Sequence, residues 1–298
     1  MDNKVCGVVV TYNPNIDDLQ ILINSMTSQV DEIIIVDNGS STDFSGLRIP
    51  DKLHFEFLNE NAGIGRAQNI GARLAIKNDC KFVCFFDQDS RLEPKFISSL
   101  KDAYSDLTQQ GIKVGALGPI IIDERSGKKF PFYRYTTFKR IVVSADENEK
   151  YIETQQLISS GTFFGVDIWS SESENHEGFF LEYVDTDWCL RLSQKGYKLF
   201  GVTKAHLIHK LGDDRKKILN VLEVPIHSTY RYFYVFRNGV YCSFYRKFPF
   251  SWSSYNIFRL ISFFFIMLML KKDKLKFTRY VSLGIYDGIR KNFSRKLK

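Results

Sequence analysis

The chain has 298 residues, enough for one large α/β domain with an appendage or for two domains. Its 44% hydrophobic and 25% charged residues are ordinary for a globular protein. The net charge is +7, but residues 271–298 carry ten Lys or Arg against two Asp, so this tail has +8 and the rest −1. This excludes a fold that is basic throughout, because the positive charge belongs to the tail.

Strand and helix signals alternate over the first 120 residues. Short apolar runs predict strands, and apolar residues three and four apart predict helices. In chain order the predicted elements are strand 5–10, helix 16–28, strand 32–36, strand 53–58, helix 62–77, strand 81–86, helix 93–109 and strand 114–117. This alternation predicts a mostly parallel sheet with helices on both faces.

The pattern changes after Pro119. Residues 120–160 give short strand-like runs with polar turns, which predict a mixed section that covers a substrate. A helix is expected at 186–195, and from about His227 the chain is helical, aromatic and increasingly basic. We therefore predict one domain over 1–225 and a helical extension over 226–298.

The cysteines and the first residues bear on the compartment. Five cysteines without Cys-x-x-Cys spacing predict buried, reduced thiols in a cytosolic protein. Residues 1–4 run directly into a strand-like segment, so no secretory signal is expected.

An acidic pair, Asp87-Gln88-Asp89, ends the apolar run 81–86. Alternation puts both carboxylates on one side of an extended chain, where they repel each other unless a cation lies between them. Hard divalent cations prefer oxygen ligands and are often shared with substrate phosphates. The pair predicts a metal-diphosphate site, although a solvated turn is the simpler alternative for this motif alone.

Two other strands end in a similar way, in Thr11-Tyr12-Asn13-Pro14 and in Asp37-Asn38-Gly39-Ser40. Parallel strands bring such ends to one edge of a sheet, where α/β proteins bind nucleotides. A glycine-rich helix entry, Asn61-Ala62-Gly63-Ile64-Gly65-Arg66, lies between them and suits a phosphate. Gln68 replaces the last glycine of a dinucleotide fingerprint, and no Gly-Lys-Ser/Thr is present, so those two motifs are excluded.

Two later motifs complete the candidate chemistry. Asp185 occupies a helix start, where it either caps the helix or acts as general base for an acceptor hydroxyl. His209 follows an apolar stretch and is either structural or a third metal or diphosphate ligand.

The segment 257–270 is apolar but interrupted by Arg259, and its uninterrupted part is shorter than the roughly 20 residues that span a bilayer. With the basic tail beside it, an in-plane interfacial helix at an anionic membrane is expected, with a buried core helix as the alternative. No nucleic-acid motif accompanies the charge, so nucleic acid is not an expected partner.

In this order, the motifs resemble those of family 2 glycosyltransferases, which have a GT-A fold. The similarity covers roughly residues 4–215 and includes Ser160-Gly161-Thr162 and Val184-Asp185-Thr186-Asp187-Trp188. Within the family the chain is most similar to bacterial rhamnosyltransferases that use dTDP-L-rhamnose, on the residues Asp87–Ser90, Val184–Trp188, His209–Asp213 and Arg231–Asn238. The implied fold is an α/β, Rossmann-like mixed sheet with a C-terminal helical extension.

The resemblance also implies residue roles. The donor nucleotide sugar would be held by Thr11, Asn13, Asp37, Asn38, Asn61, Gly63, Arg66, Asn69 and Asp87. Mg²⁺ or Mn²⁺ would be held by Asp89 and His209, with Asp87 contacting the ribose or the metal. The acceptor would lie near Gly161 and Trp188. Many relatives have Glu-Asp where this chain has Val184-Asp185, so the base is Asp185 or Asp187, and the register favours Asp185.

The expected reaction is inverting transfer of L-rhamnose, or of another sugar from a UDP-linked donor, to a lipid-linked or polysaccharide acceptor in bacterial cell-surface polysaccharide synthesis. The expected location is the inner face of the bacterial plasma membrane, as a cytoplasmic peripheral protein. Two alternatives are a nucleotidyltransferase, disfavoured because no Gly-rich basic loop follows the first strand, and a non-catalytic scaffold of the same fold.

Overall fold

The computed structural model describes residues 3–136, 139–144, 149–169, 173–209, 215–218, 222–225 and 228–297, and for 215–218 and 222–225 only the backbone. The chain divides into two compact units. The first, termed the sheet unit, comprises Met1–Arg134, Ile141–Glu177 and Val184–Lys210. The second, termed the helical unit, comprises Tyr135–Arg140, Gly178–Tyr183 and Leu211–Lys298.

The described strands are β1 (Val5–Thr11), β2 (Glu32–Asp37), β3 (Leu53–Phe57), β4 (Phe82–Asp87), β5 (Ser90–Leu92), β6 (Val114–Asp123), β7 (Phe132–Tyr135), β8 (Arg140–Val143), β9 (Tyr151–Thr154), β10 (Phe163–Gly165), β11 (Lys198–His209), β12 (Arg215–Ile218) and β13 (Leu222–Pro225). The described α-helices are α1 (Ile16–Thr27), α2 (Ile64–Lys77), α3 (Phe96–Gln109), α4 (Val184–Gln194), α5 (Thr229–Tyr245), α6 (Phe250–Leu270) and α7 (Lys274–Ile289).

Over the described ranges, nine strands form one mixed sheet in the order β3-β2-β1-β4-β10-β6-β11-β5, with β9 also paired to β11. The strands β3, β2, β1 and β4 are parallel to one another, as the strand–helix alternation predicts. The later strand β10 is inserted antiparallel between β4 and β6. Because β1, β2 and β4 run in one direction, their carboxyl ends meet at one edge of the sheet.

The first elements form for reasons visible in the sequence. The side chains of β2 are buried on both faces, which is why it is an uninterrupted apolar run. Helix α1 begins where Asn15 Oδ1 accepts a hydrogen bond from the Asp18 amide at 3.0 Å. Its buried residues Leu19, Leu22, Ile23 and Met26 have the three-and-four spacing of a single helix face.

Several predicted bounds differ from the structure. Helix α3 begins at Phe96 and not at residue 93, and α4 begins at Val184, two residues before the predicted start. The boundary predicted between 225 and 226 falls next to residue 226, which lies outside the described residues, as does His227. The segments 135–140 and 178–183 group with the helical unit although they are distant from it in sequence.

The apolar segment that the sequence predicts from residue 257 is part of a longer helix. Helix α6 has 21 residues, and among the described helices it is the one whose length and composition suffice to cross a membrane. The whole helix thus reaches a membrane-spanning length, because residues 250–256 extend it upstream of the predicted segment. Its uninterrupted apolar part is as short as the sequence indicates, since serines, Asn256 and Arg259 interrupt the run.

Candidate active site

Asp37, at the end of β2, joins the ends of β1 and β2. Its carboxylate accepts hydrogen bonds from the Thr11 hydroxyl at 2.8 Å, the Ser40 amide at 2.8 Å and the Ser40 hydroxyl. Thr11 and Asp37 are both almost fully buried. The polar atoms of Thr11 and Asp37, which are predicted to bind the donor, already have hydrogen-bond partners within the fold. Their direct effect is therefore to hold the loop after β2 in its conformation.

Asn13 is the exposed residue of this group. Its Oδ1 accepts hydrogen bonds from the Ser41 amide at 2.9 Å and the Ser41 hydroxyl at 3.1 Å, and its own amide donates to Ser40 Oγ at 2.8 Å. It has a positive φ of 47°, which Asn tolerates better than most residues. The loop ends thus form one surface at the predicted nucleoside position.

Asn38 links the end of β2 to the glycine-rich helix entry. Its Nδ2 donates to Asn61 Oδ1 at 3.1 Å, and its Oδ1 accepts from the Ala62 amide at 2.8 Å. Asn61 Oδ1 also accepts from the Gly63 amide at 3.0 Å. Gly39 permits this approach, since it has φ +77° and a Cβ there would lie 2.5 Å from the Glu60 carbonyl carbon.

The first turn of α2 carries Arg66 next to this loop. Its side chain is about half exposed, with Nε 3.9 Å from Glu177 Oε2, so it can turn toward an anionic ligand. Asn69 is different: it is fully buried, and its amide group is held by the backbone of Asn175 at 3.0 Å in both directions. In the fold its amide group therefore helps to pack α2, and its contact with the donor stays a prediction.

The acidic pair and the histidine meet although about 120 residues separate them. In the antiparallel pairing of β5 with β11, His209 lies opposite Ser90, directly after Asp89. His209 Nε2 is 3.5 Å from Asp87 Oδ2, and its Nδ1 is 3.5 Å from Asp89 Oδ1. The structure therefore assembles the three predicted ligands at the carboxyl end of β4.

The Ser160 side chain contacts the residues that carry the acidic pair and His209. Its hydroxyl accepts from the Asp87 amide at 3.1 Å and lies 2.7 Å from Ser90 Oγ, which lies 3.2 Å from His209 Nδ1. All these hydroxyl groups are buried. Gln88, between the two aspartates, accepts from the Tyr12 amide at 2.8 Å and so ties the acidic pair to the end of β1.

The sequence predictions assigned no role to Ser160 or Gln88. The sequence feature that could indicate a role for Ser160 is its position just before Gly161, a glycine with φ +82° at which the chain turns next to β4. No local pattern identifies Gln88, because its partner amide is 76 positions away.

The electrostatics of Asp87 fit a cation site. Burial raises the pKa of Asp87 above its usual value, His209 opposes this rise, and the Asp89 carboxylate adds to it. Two carboxylates and an imidazole are also ligands that a hard divalent cation accepts. Across the described ranges, no three His, Cys, Asp or Glu side chains have donor atoms arranged as a closed metal site. The chemistry of the three side chains thus fits a divalent cation, whereas in this arrangement each ring nitrogen of His209 lies 3.5 Å from one of the two carboxylates.

The N-terminus of α4 borders the same site. A Cβ at Gly65 in α2 would lie 3.3 Å from Val184 Cγ1, which places the first residue of α4 beside the glycine-rich entry. Gln156 Nε2 donates to Thr186 Oγ1 at 3.0 Å. Gln156 is four residues before Ser160, whose hydroxyl contacts the acidic group. The half-buried Asp185, whose Oδ1 accepts from the Thr186 amide at 2.7 Å, lies between Val184 and Thr186 in the first turn of α4.

The second candidate base has a different environment. Asp187 is fully buried, and its Oδ2 accepts from Arg191 Nε at 2.8 Å. Arg191 also donates to the Glu174 carbonyl at 2.7 Å. Because Asp187 is fully buried and paired with Arg191 whereas Asp185 is half-buried, Asp185 is the more accessible of the two carboxylates. Which of them acts as the base stays a prediction.

The two predicted acceptor residues are buried. Trp188 packs against Phe164 and Trp169, with ring centroids 5.3 and 5.5 Å away. The Gly161 amide donates to the Phe85 carbonyl at 2.7 Å, and a Cβ there would lie 2.6 Å from Pro119 Cγ. Both residues therefore contribute to the core beneath the site, and their contacts with the acceptor stay predictions. Of the motif 209–213, only His209 lies within the described residues.

Solved structures identify the architecture as the GT-A fold of glycosyltransferases. A structure of GalNAc-T7 with UDP, GalNAc and Mn²⁺ superimposes with a TM-score of 0.55 at 13% identity, over 69% of this chain and 43% of that one. A crystal structure of S. aureus TarS gives a TM-score of 0.51 at 15% identity, over 87% of this chain and 43% of that one. This chain thus spans less than half of either protein, and at such identities the likeness concerns the fold.

The sequence comparison then gives the family. The family model described as glycosyl transferase family 2 matches residues 6–164, which is more than half of the chain. The chain belongs to glycosyltransferase family 2 and is a glycosyltransferase. It is also 29% identical over 292 residues to the dTDP-rhamnosyl transferase RfbF of Shigella flexneri, covering 97% of each chain. The predicted fold class and the predicted family are confirmed.

Proposed function

We propose that the protein transfers L-rhamnose from dTDP-L-rhamnose, with inversion, to a lipid-linked or polysaccharide acceptor in bacterial cell-surface polysaccharide synthesis. The observation that carries the choice of donor is the similarity to a dTDP-rhamnosyl transferase, which extends over 97% of both chains and thus beyond the family domain. The site of the sheet unit supplies the groups that such a transfer needs.

The donor would lie along the carboxyl ends of β1, β2 and β4. The exposed Asn13 and the loop held by Asp37 and Asn38 would bind the nucleoside. The backbone amides at the start of α2, which include those after Gly63, together with the Arg66 guanidinium, would bind the diphosphate. A UDP-sugar would use the same contacts. These residues therefore support a nucleotide sugar as the donor, and the nucleotide-selectivity experiment would identify its base.

The acidic group would hold a divalent cation together with the diphosphate. Asp89 and His209 would be its protein ligands, with Asp87 contacting the cation or the ribose. When bound, Mg²⁺ or Mn²⁺ neutralises the charge that develops on the departing nucleoside diphosphate. Ser90 and Ser160 would orient His209 and the backbone of Asp87, because their hydroxyls already contact both groups.

Asp185 would act as the general base. Its carboxylate would accept the proton of the acceptor hydroxyl as that oxygen attacks the anomeric carbon from the face opposite the diphosphate. One displacement of this kind inverts the anomeric configuration. Asp187 would keep α4 in place through its ion pair with Arg191.

The helical unit would bind the inner face of the plasma membrane. On α6, Phe258, Ile261, Phe265 and Met269 are exposed at three-and-four spacing, and they form an apolar stripe along one side of the helix. On the opposite side, the buried Asn256 donates to the Gly239 carbonyl at 3.1 Å and to Ser243 Oγ at 2.8 Å, while Arg259, between the two sides, donates to the Tyr183 hydroxyl. Because this side carries polar groups bound within the unit, an in-plane helix is favoured over a spanning one.

The surroundings of the stripe support contact with anionic lipid. An apolar groove of about 310 Å³ between α5, α6 and α7 opens next to it, lined by Phe236, Val240, Phe264 and Val281. The turn after α6 and the first turns of α7 carry Lys271, Lys272, Lys274, Lys276 and Arg279. Lysines and arginines beside exposed apolar residues bind anionic membrane surfaces, where a lipid-linked acceptor would be found.

The first test is nucleotide selectivity. Thermal unfolding of the full chain with dTDP, UDP, GDP or CDP, each with and without Mn²⁺, should show the largest stabilisation with dTDP plus Mn²⁺. A preference for UDP would retain the glycosyltransferase and discard rhamnose, and no response to any nucleotide would contradict the donor site. Transfer from dTDP-L-rhamnose, with the product anomer read by NMR, tests the inversion.

A further inference from the structure

A short turn in front of α4 has an unusual backbone. Within Gly178–Tyr183, three non-glycine residues have positive φ: Phe180 at 57°, Glu182 at 62° and Tyr183 at 64°. Side chains of this size rarely adopt that conformation, so other groups must hold the turn in place. The next residue is Val184, the first of α4, so the turn is covalently continuous with Asp185.

Arg237 of α5 holds the first half of this turn. Its Nη2 donates to the carbonyls of Gly178 at 2.7 Å and of Phe179 at 3.0 Å. Its Nη1 donates to the Arg295 carbonyl at 3.3 Å, and its Nε donates to Asn238 Oδ1 at 2.9 Å. A planar guanidinium can satisfy such divergent acceptors at once, which an ammonium group cannot.

Asn238 holds the second half. Its Nδ2 is within hydrogen-bond distance of three carbonyls: Phe179 at 3.0 Å, Leu181 at 2.7 Å and Glu182 at 2.9 Å. Because Nε of Arg237 donates to the Oδ1 of Asn238, the orientation of this amide is also fixed. Together the two side chains bind carbonyls along most of the turn.

Both residues are fully buried. The Arg237 guanidinium lies 5.0 to 5.3 Å from the ring centroids of Phe233, Tyr234 and Phe293, and burial lowers its pKa to about 10. The acceptors of its hydrogen bonds are neutral carbonyl and amide oxygens. Burying a guanidinium whose hydrogen-bond acceptors are neutral costs desolvation free energy on folding. We therefore expect Arg237 to have a role beyond packing.

The backbone around Arg237 is itself tightly placed. A Cβ at Gly284 in α7 would lie 2.4 Å from the Phe233 carbonyl oxygen, and one at Gly288 would lie 2.6 Å from the Arg237 carbonyl oxygen. The two glycines, one helical turn apart, let α7 pack directly on the backbone of α5. The two side chains therefore project from a rigid support.

We propose that Arg237 and Asn238 are positioning residues for sugar transfer, which hold the turn 178–183 so that the first turn of α4 presents Asp185 correctly. This inference rests on the proposed role of Asp185 as general base. A displacement of about 1 Å at a reacting group can lower a rate about 100-fold, so a loosened turn should affect the chemical step more than donor binding.

The variants Arg237→Lys and Asn238→Ala of the full chain test the inference. Each should lower kcat for transfer about 10- to 100-fold and change the Kd for the nucleoside diphosphate less than about threefold. Arg290→Lys is the matched control, because this exposed arginine of the same unit donates to the Tyr286 hydroxyl at 3.0 Å. It should retain kcat.

A double-mutant cycle separates positioning from general damage. If Arg237 acts through Asp185, Arg237→Lys should not lower the residual rate further in an Asp185→Asn background. An equal loss in both backgrounds would overturn the inference. Full activity of Asp185→Asn alone would instead refute the proposed base, so the two failures are distinguishable.

Hydrogen exchange provides a readout that is independent of activity. Peptides spanning 178–183 should exchange at least about 10-fold faster in Arg237→Lys and Asn238→Ala than in the wild type, while β1 and β2 keep their protection. Unchanged exchange in 178–183, measured in whichever variant remains folded, would overturn the inference.

Discussion

Asp187 and Arg191 form a buried ion pair across one turn of α4, with Arg191 Nε 2.8 Å from Asp187 Oδ2. The half-buried Asp185 is two positions earlier on the same helix. Asp187→Asn removes a buried charge that lies 2.8 Å from the largely buried Arg191 guanidinium and should destabilise the protein by about 3 kcal/mol. Asp185→Asn should keep the stability of the wild type and lower transfer at least about 100-fold.

Thermal unfolding and transfer assays on both variants check this difference. Nucleotide binding serves as the control, since both variants should bind the donor nucleotide while they are folded. A stable Asp187→Asn variant without activity would reverse the two roles.

Asp89→Ala should remove the dependence of nucleotide binding on Mn²⁺. In the wild type, a nucleotide at 100 times its Kd stabilises the fold by about 2.7 kcal/mol. In the variant, thermal unfolding with dTDP should be the same with and without Mn²⁺, because one ligand of the cation is missing. His206→Ala is a suitable control, as this histidine lies near Glu93 and not in the acidic group. If Mn²⁺ still stabilises the Asp89→Ala complex, Asp89 is not a ligand.

Gly39→Ala should disrupt the loop that carries Asn61. Both the positive φ and the approach of Glu60 oppose a Cβ, and the strained backbone alone costs about 1–3 kcal/mol. Gly111 has the same φ of +77°, and no atom lies within 4 Å of the point that a Cβ would occupy there, so Gly111→Ala introduces the strain without the clash. Isothermal titration with dTDP should show weaker binding for Gly39→Ala alone. Equal affinities would mean that this loop does not shape the donor site.

Cys189 predicts how stability depends on alkaline pH. Burial raises the pKa of its thiol from 9.0 to about 12. In the unfolded chain the thiol ionises from about pH 9, whereas in the folded protein it stays neutral, so the free energy of unfolding should fall as pH rises from 9 to 12. The slope from this one group is about 1.4 kcal/mol per pH unit.

Urea unfolding between pH 8 and 11 measures this slope, and Cys189→Ala should reduce it. Cys242→Ala is the comparison, because it removes another buried thiol. An identical slope in wild type and Cys189→Ala would show that this thiol does not contribute.

Phe265→Ser should weaken binding to vesicles that contain phosphatidylglycerol. Phe265 lies in the exposed stripe of α6, and burying such a side chain in lipid contributes about 1.5–3 kcal/mol. Phe57 in the sheet unit is equally exposed, at 58%, so Phe57→Ser is a matched control for vesicle co-sedimentation. Binding should also fall with salt, because the lysines of α7 contribute. Loss of binding in both variants, or in neither, would contradict a specific role for the stripe.

The sequence predicts the first half of the fold well because local signals and tertiary structure agree there. The run 33–36 is apolar because β2 is buried on both faces, and Asn15 caps α1 as its position indicates. The order of strands is less accessible: β10 comes from residues 163–165 yet pairs with β4, and no periodicity encodes a partner 80 residues away.

The site, like the fold, is only partly predictable from the sequence. Asp87, Asp89 and His209 could each be proposed from the sequence, but their meeting depends on the pairing of β11 with β6, which shifts register between Val202 and His206. A change in that shift would turn His209 away from the carboxylates. The burial of Trp188 and Asn69 is not visible in the sequence, because a polar or aromatic residue in a motif looks the same whether it faces a ligand or supports the core.

The edge strand β5 has one more consequence. It has three residues, is the last strand in the sheet order, and places Asp89 and His209 together only while it is paired with β11. Short edge strands open locally at a lower free energy than the whole fold. A cation bound by Asp89 and His209 would bind only the form in which β5 is paired. Binding of the cation with the donor would therefore oppose opening of β5, and opening of β5 would weaken that binding.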